Sequence, residues 1–218
     1  MLWPRFAFVL TLAAALWGLP ASARSQDADV QRPDQAAADK PLTADTYVPI
    51  TPGQRVSWIV NGTIGPKSLF IVGPLSAAWQ TAWNQPEEWG RGWSGLGKRY
   101  AQREADVAIS NTIEAGLGSL WGEEPRYIAS SRKGIWPRAR YALKTSVLAQ
   151  GRDGRLRPAW ARYAGNTLNN VIENSWLPPS QTTATQTAVR SGLGILTRMG
   201  GNLWEEFWPD VARLLKKR

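Results

Sequence analysis

The chain has 218 residues with 26 Lys and Arg against 17 Asp and Glu, 13 Trp, and neither His nor Cys. Without imidazole or thiol there is no Ser-His-Asp arrangement, no thiol nucleophile, no disulfide framework and no usual zinc or copper ligand set, so neither a cofactor nor a metal is expected. The net charge of +9 points instead to a polyanionic partner.

Residues 1–23 read as an export signal: Arg5 leads, an apolar run follows over 6–16, and Ala21-Ser22-Ala23 supply a small-residue cleavage position. The run is too short for a stable membrane span; the competing reading is an anchor left uncleaved. Residues 24–50 shift to Asp, Gln, Ala and Pro and read as a disordered linker, because they bury too little apolar surface to offset the entropy of ordering. Residues 51–218 are long enough for one helical domain with its own core.

Within that domain, 52–83 is the most apolar stretch and predicts two buried helices parted at Gly65-Pro66, with a bend at Gly73-Pro74. A hairpin dipping into a bilayer interface is the sharper alternative. Residues 84–98 form a glycine-rich aromatic loop around Trp89, Arg91 and Trp93. It lacks the closing hydroxyl of a phosphate-cradling loop. Its tryptophans suit a sugar ring, a membrane interface or simple attachment to the core.

The stretch 97–121 is the clearest helix, ending near Gly122. Ala105, Ile109, Ile113, Gly116, Leu117 and Leu120 share one side, expected to face the core, and Ala108, Thr112, Ala115 and Ser119 form a slim second stripe for close helix approach. Another helix follows Gly134, with Arg138, Arg140 and Lys144 as its basic positions, and 147–157 predicts a short hairpin around Asp153-Gly154. From Pro158 onward, Trp160, Ala164, Thr167, Leu168, Val171 and Ile172 mark an expected core face. Asn166, Asn170 and Asn174 line another side and predict amide hydrogen bonds to neighbouring elements, with ligand binding as the alternative. In the last segment Val189, Leu193, Leu196, Leu203 and Phe207 continue an apolar stripe past Gly200-Gly201 to an aromatic cluster at Trp204, Phe207 and Trp208. The fold class is therefore mostly α: a single domain of about six to seven helices packed through Ala, Gly and Ser faces, with one short hairpin.

Residues 126–162 hold ten basic side chains and one acid, Asp153. Arg126, Arg132, Lys133, Arg138, Arg140, Lys144, Arg155 and Arg157 are the expected polyanion-binding positions. An exported protein meets little nucleic acid, so anionic lipid, envelope glycan or another envelope protein is the expected partner. The tryptophans suit such an interface. Glu87-Glu88, Glu123-Glu124 and Glu205-Glu206 are sequence neighbours that point apart, and none makes a paired-carboxylate site by itself. The expected function is non-enzymatic: an exported, periplasmic or outer-envelope-associated protein of structural or interaction type. The alternative is a cell-wall glycan-cleaving enzyme with Glu114 or Glu173 as its acid.

The runs Gly92-Trp93-Ser94-Gly95-Leu96-Gly97-Lys98-Arg99-Tyr100, Glu124-Pro125-Arg126-Tyr127, Arg138-Ala139-Arg140-Tyr141-Ala142, Gly165-Asn166, Asn174-Ser175-Trp176-Leu177-Pro178 and Glu206-Phe207-Trp208-Pro209-Asp210 together resemble an uncharacterised family of exported bacterial proteins. The resemblance spans most of the chain beyond the linker. It implies one domain and an envelope location, and it transfers no functional residue.

Overall fold

The first helix opens on a reciprocal cap. Thr51 Oγ1 accepts from the Gln54 amide and the Gln54 side chain accepts from the Thr51 amide, with Pro52 at the first helical position where its missing N–H costs nothing. The computed structural model describes residues 42–216; the expected export signal and the linker up to residue 41 lie outside the described residues. Residues 42–50, assigned above to the linker, are paired: the Ala44 amide donates to Ala129 O, the Ala129 amide to Leu42 O, and the Ile50 amide to Glu124 Oε2. Composition hid this, because the pairing uses backbone groups.

Helix α1, Pro52–Ile64, ends at Gly65-Pro66 as expected. A π-helical stretch, Ser68–Val72, then runs directly into α2, Gly73–Ala82, so helical geometry continues through Gly73-Pro74. Gly73 is required by contact: a Cβ there would lie 2.8 Å from the Tyr100 ring and 2.9 Å from Ser68 O. The central helix α3, Trp93–Trp121, starts earlier than its spacing predicts and stops where expected, with Gly122 at φ 74 donating its N–H to Gly118 O. Helix α4, Ile135–Val147, leads into β1, Leu148–Gln150, and β2, Leu156–Pro158. These strands pair antiparallel, Ala149 opposite Arg157, across the expected Asp153-Gly154 turn, with Gly154 at φ 74. Helices α5, Trp160–Glu173, and α6, Ala184–Lys216, complete a mostly helical fold.

Helix α3 carries α1, α2 and α5, and α6 packs on α4 and α5. Slim residues set the α3–α5 approach: a Cβ on Gly165 would lie 3.0 Å from Ser110 O, and one on Gly118 would lie 3.7 Å from the Ala161 Cβ. The small-residue packing expected from sequence is present, yet at different positions. Ala115 is buried, whereas Thr112 and Ser119 of the expected slim stripe are exposed.

The apolar stripes of α5 and the first half of α6 face opposite to the sequence expectation, whereas Ile109, Ile113 and Leu117 of α3 and Leu203 and Phe207 of α6 are half-buried. The largest fully buried side chains include Arg99, Glu124 and Asn169, and the buried apolar set is Ile128 with six alanines. Leu120 of α3 is exposed, as are Trp160, Leu168, Val171 and Ile172 of α5, and Val189, Leu193 and Leu196 of α6. In their place α3 buries Gly95, Arg99, Glu114, Ala115 and Gly118, and α5 buries Ala161, Arg162, Gly165, Asn169, Asn170 and Glu173. The helices of 52–83 are likewise not buried, with Phe70, Leu75, Trp79 and Trp83 pointing outward.

Arg99 shows how polar groups hold this interior. Its Nε donates to Gln85 O at 2.7 Å, Nη1 to Gly90 O at 2.6 Å and Nη2 to Pro86 O at 2.8 Å, clasping the loop that carries Trp89. Arg99→Lys, with one point charge where a planar fork served three fixed carbonyls, is expected to cost about 2 kcal/mol. Limited proteolysis should then cut first within 84–92; unchanged cleavage would show that the loop is held by something else.

Candidate functional site

Four polar knots account for the charges that the fold turns inward. Glu114 Oε1 accepts from Arg162 Nε at 3.0 Å and Arg198 Nη2 at 3.5 Å. Glu206, 2 % exposed, accepts from Arg138 Nε at 2.6 Å, the Tyr127 hydroxyl at 2.7 Å and the Ser130 amide at 2.9 Å. Burial first, and then the bond to Glu206, push the Tyr127 phenol up. Glu124 is held by Arg126, and Glu123 accepts from the Trp160 and Ala161 amides, capping the positive end of α5. The two glutamates therefore serve different elements, as their adjacency predicts. Glu173 and Asp106 share the last knot with Gln102, Asn169 and Arg190. The expected amide bonds of α5 are also made: Asn166 to Ser191 O, Asn170 to Ser191 Oγ and Asn174 to Thr187 Oγ1, all on α6.

These knots divide the eight predicted polyanion-binding residues. Arg126 binds Glu124 and Val48 O; Arg138 binds Glu206 and Asp210 and lies 4.7 Å from the Phe207 ring centroid; Arg157 binds Asp153 across an exposed turn. Arg138 holds the Asp210 carboxyl below its ordinary range. Arg132, Lys133, Arg140, Lys144 and Arg155 are exposed and make no ion pair among the described residues. The set of basic positions expected from sequence is thus reduced: Glu124 beside the run, Asp153 within it, and Glu206 and Asp210 of α6 each engage one of its arginines.

What remains is concentrated on α4. Trp136, Arg140, Leu143 and Lys144 lie on one side of the helix at four-, three- and one-residue steps, all exposed. Ile135 and Trp136 are 71 % and 76 % exposed, and Arg132 and Lys133 precede them. No acid lies within α4. The surface therefore sets three large apolar groups, Ile135, Trp136 and Leu143, among four cations.

The aromatic loop adds a separate outward group. Trp93 is 88 % exposed at the start of α3, Arg91 is exposed, and Trp89 is half-buried above the Arg99 clasp. Attachment to the core comes from Arg99 and not from Trp93. Along α6, Val189, Leu193, Leu196, Trp204, Trp208, Val211 and Leu215 extend an exposed apolar stripe, with Trp204 and Trp208 stacked at 4.7 Å. Among the described residues no helix is long and apolar enough to cross a membrane.

Spacing along one helix does not reveal the buried ionic knots, since their partners are distant in the chain. One signal was available: Asp106, Ser110, Glu114 and Gly118 recur every four residues on α3, a polar and slim row beside the apolar one. Of the two glutamates considered as acids, Glu114 is engaged by two arginines and Glu173 belongs to the knot with Asp106. No family model, curated protein or solved structure matches the chain.

Proposed function

We propose that this chain is a non-enzymatic, envelope-associated helical protein that beds on an anionic lipid surface, with the α4 face as its docking element. The observation that carries this is the exposed Ile135–Trp136 pair surrounded by Arg132, Lys133, Arg140 and Lys144. Apolar side chains this exposed are unfavourable in water, each forfeiting about 1.5–3 kcal/mol of burial. At a headgroup boundary the indole enters the interface while the cations meet lipid phosphates, each worth about 1 kcal/mol. The outward stripes of α1, α5 and α6 offer more apolar area to the same phase. The export pattern of the first 23 residues and the resemblance to exported bacterial proteins support an envelope location.

Flotation of the full chain on neutral phosphatidylcholine vesicles and on vesicles containing phosphatidylglycerol tests this. Binding is expected on the anionic vesicles only, weakening as salt rises. Lys133→Gln with Lys144→Gln should reduce partitioning about 30-fold, the equivalent of about 2 kcal/mol. Trp136→Ala should reduce it further. Equal partitioning on both vesicles, capture by anionic glycan without lipid binding, or self-association that leaves the vesicles bare would each overturn the proposal.

A further inference from the structure

Between α3, α5 and α6 lies a polar cavity of about 90 Å³, bordered by Ser110, Asn111, Glu114, Arg162, Asn166 and Arg198. A buried water needs on the order of 10–15 Å³ measured this way, so the space holds several waters or one small polyatomic ion. Of the charges that border it two are guanidiniums and one is a carboxylate, with the Glu123 carboxylate acting on Arg162 from beyond the lining. One donor is also left over among the described residues. Arg162 is fixed by Nε on Glu114 and Nη1 on the carbonyls of Thr145, Ser146 and Leu148. Arg198 uses Nη2 on Glu114 and Pro125 O, while its Nε is buried without a partner. A buried guanidinium N–H left unmatched is costly, which marks a group missing from the cavity. Burial and the neighbouring Arg198 charge both lower the Arg162 pKa, the direction that an added anion would reverse.

We infer that this cavity is a binding site for a singly charged phosphate group, held between Arg162 and Arg198 with Ser110 and Asn111 at its border. A guanidinium fork matches phosphate oxygens, and the buried Arg198 Nε has no other acceptor among the described residues. Glu114 also borders the cavity, and the two arginines that donate to its Oε1 offset its repulsion of a second anion. The site stands independently of the α4 surface, since no α4 cation borders it.

The test is calorimetric titration of the full chain with inorganic phosphate and, separately, with glycerophosphocholine, in an oxyanion-free buffer of matched ionic strength. Saturable binding of one equivalent is expected. Phosphate alone binding identifies the free ion as the source, and glycerophosphocholine binding identifies a lipid headgroup. Ser110→Leu, which fills the space without removing a charge or a protein hydrogen bond, should weaken binding at least 10-fold. Arg198→Gln should do the same and covers the case in which the leucine perturbs folding, with circular dichroism reporting the fold of each variant. No heat of binding in the wild-type chain, or equal affinity in the wild type and a folded variant, would overturn the inference whatever the vesicle result.

Discussion

Replacing Glu114 by leucine is expected to lower the stability of the fold by about 3–5 kcal/mol. The glutamate is 6 % exposed and is the carboxylate that both Arg162 and Arg198 contact. Removing it leaves two like charges facing each other with burial already disfavouring the Arg162 cation, so the loss is a stranded charge and not a missing contact. Glu114→Gln keeps an acceptor and the shape and should cost less. Adding Arg198→Met to Glu114→Leu should recover part of the loss by withdrawing one of the stranded charges, and the non-additivity measures the coupling. Urea unfolding in a mild non-ionic detergent, which covers the apolar exterior, reads all three. A cost below about 1 kcal/mol for the leucine variant would mean that water reaches the arginines and the knot does not hold α3 to α5 and α6.

The second large effect is expected as a function of pH. Glu173 is pushed up to about 8, first by burial and then by the like charge of Asp106. Gln102 Nε2 donates to it at 2.6 Å, and Arg190 lies 3.7 Å away, offsetting only part of the burial. Asp106 is raised too, again by burial first, while Asn169 and the charges of Arg103 and Arg190 act the other way. The remaining neighbour in this knot, the Trp176 indole, donates to Gln102. A carboxyl whose folded pKa exceeds its unfolded value binds more protons when folded, so its contribution is complete below about pH 4.5 and is lost as pH rises through about 8. The slope approaches about 1.4 kcal/mol per pH unit within that window, amounting to a few kcal/mol. Glu173→Gln, a neutral isostere that still accepts from Gln102, should flatten the profile and make the variant more stable than wild type at pH 8.5. A wild-type profile that is level from pH 5 to 8, or a glutamine variant that keeps the wild-type slope, would show that this carboxylate is ionised in the fold.

Both effects originate in contacts that span much of the chain. Glu114 and Arg162 stand 48 positions apart, and Arg138 and Glu206 stand 68 apart. The basic run over 126–162 was legible as composition, yet its partition was not. Glu124 takes Arg126 locally, Glu206 and Asp210 of α6 take Arg138, and Glu114 of α3 takes Arg162. Arg140 and Lys144, on the same helix as Arg138, meet no acid among the described residues. Trp93 and Trp136 could be flagged as interface residues from sequence, but only coordinates separate them from the half-buried Trp89.

Local chemistry did settle several features before any tertiary contact was considered. Thr51 and Gln54 cap α1 because a hydroxyl and an amide stand at the required spacing, and Gly122 ends α3 because a residue without Cβ adopts positive φ cheaply. Asp153-Gly154 turns the hairpin for the same reason. Asn166 and Asn170 within α5 announced bonds to another element, since an amide in a helix interior otherwise gives up helix propensity for nothing. A helical repeat of 3.6 residues dictates which side chains share a side, but it is symmetric with respect to inside and outside. The tertiary structure decided that question: Glu114 meets Arg162, Asn169 meets Asp106 and Glu206 meets Arg138 only when α3 to α6 assemble, and satisfying these charges and amides leaves Trp160, Leu168, Val171, Val189 and Leu193 facing outward.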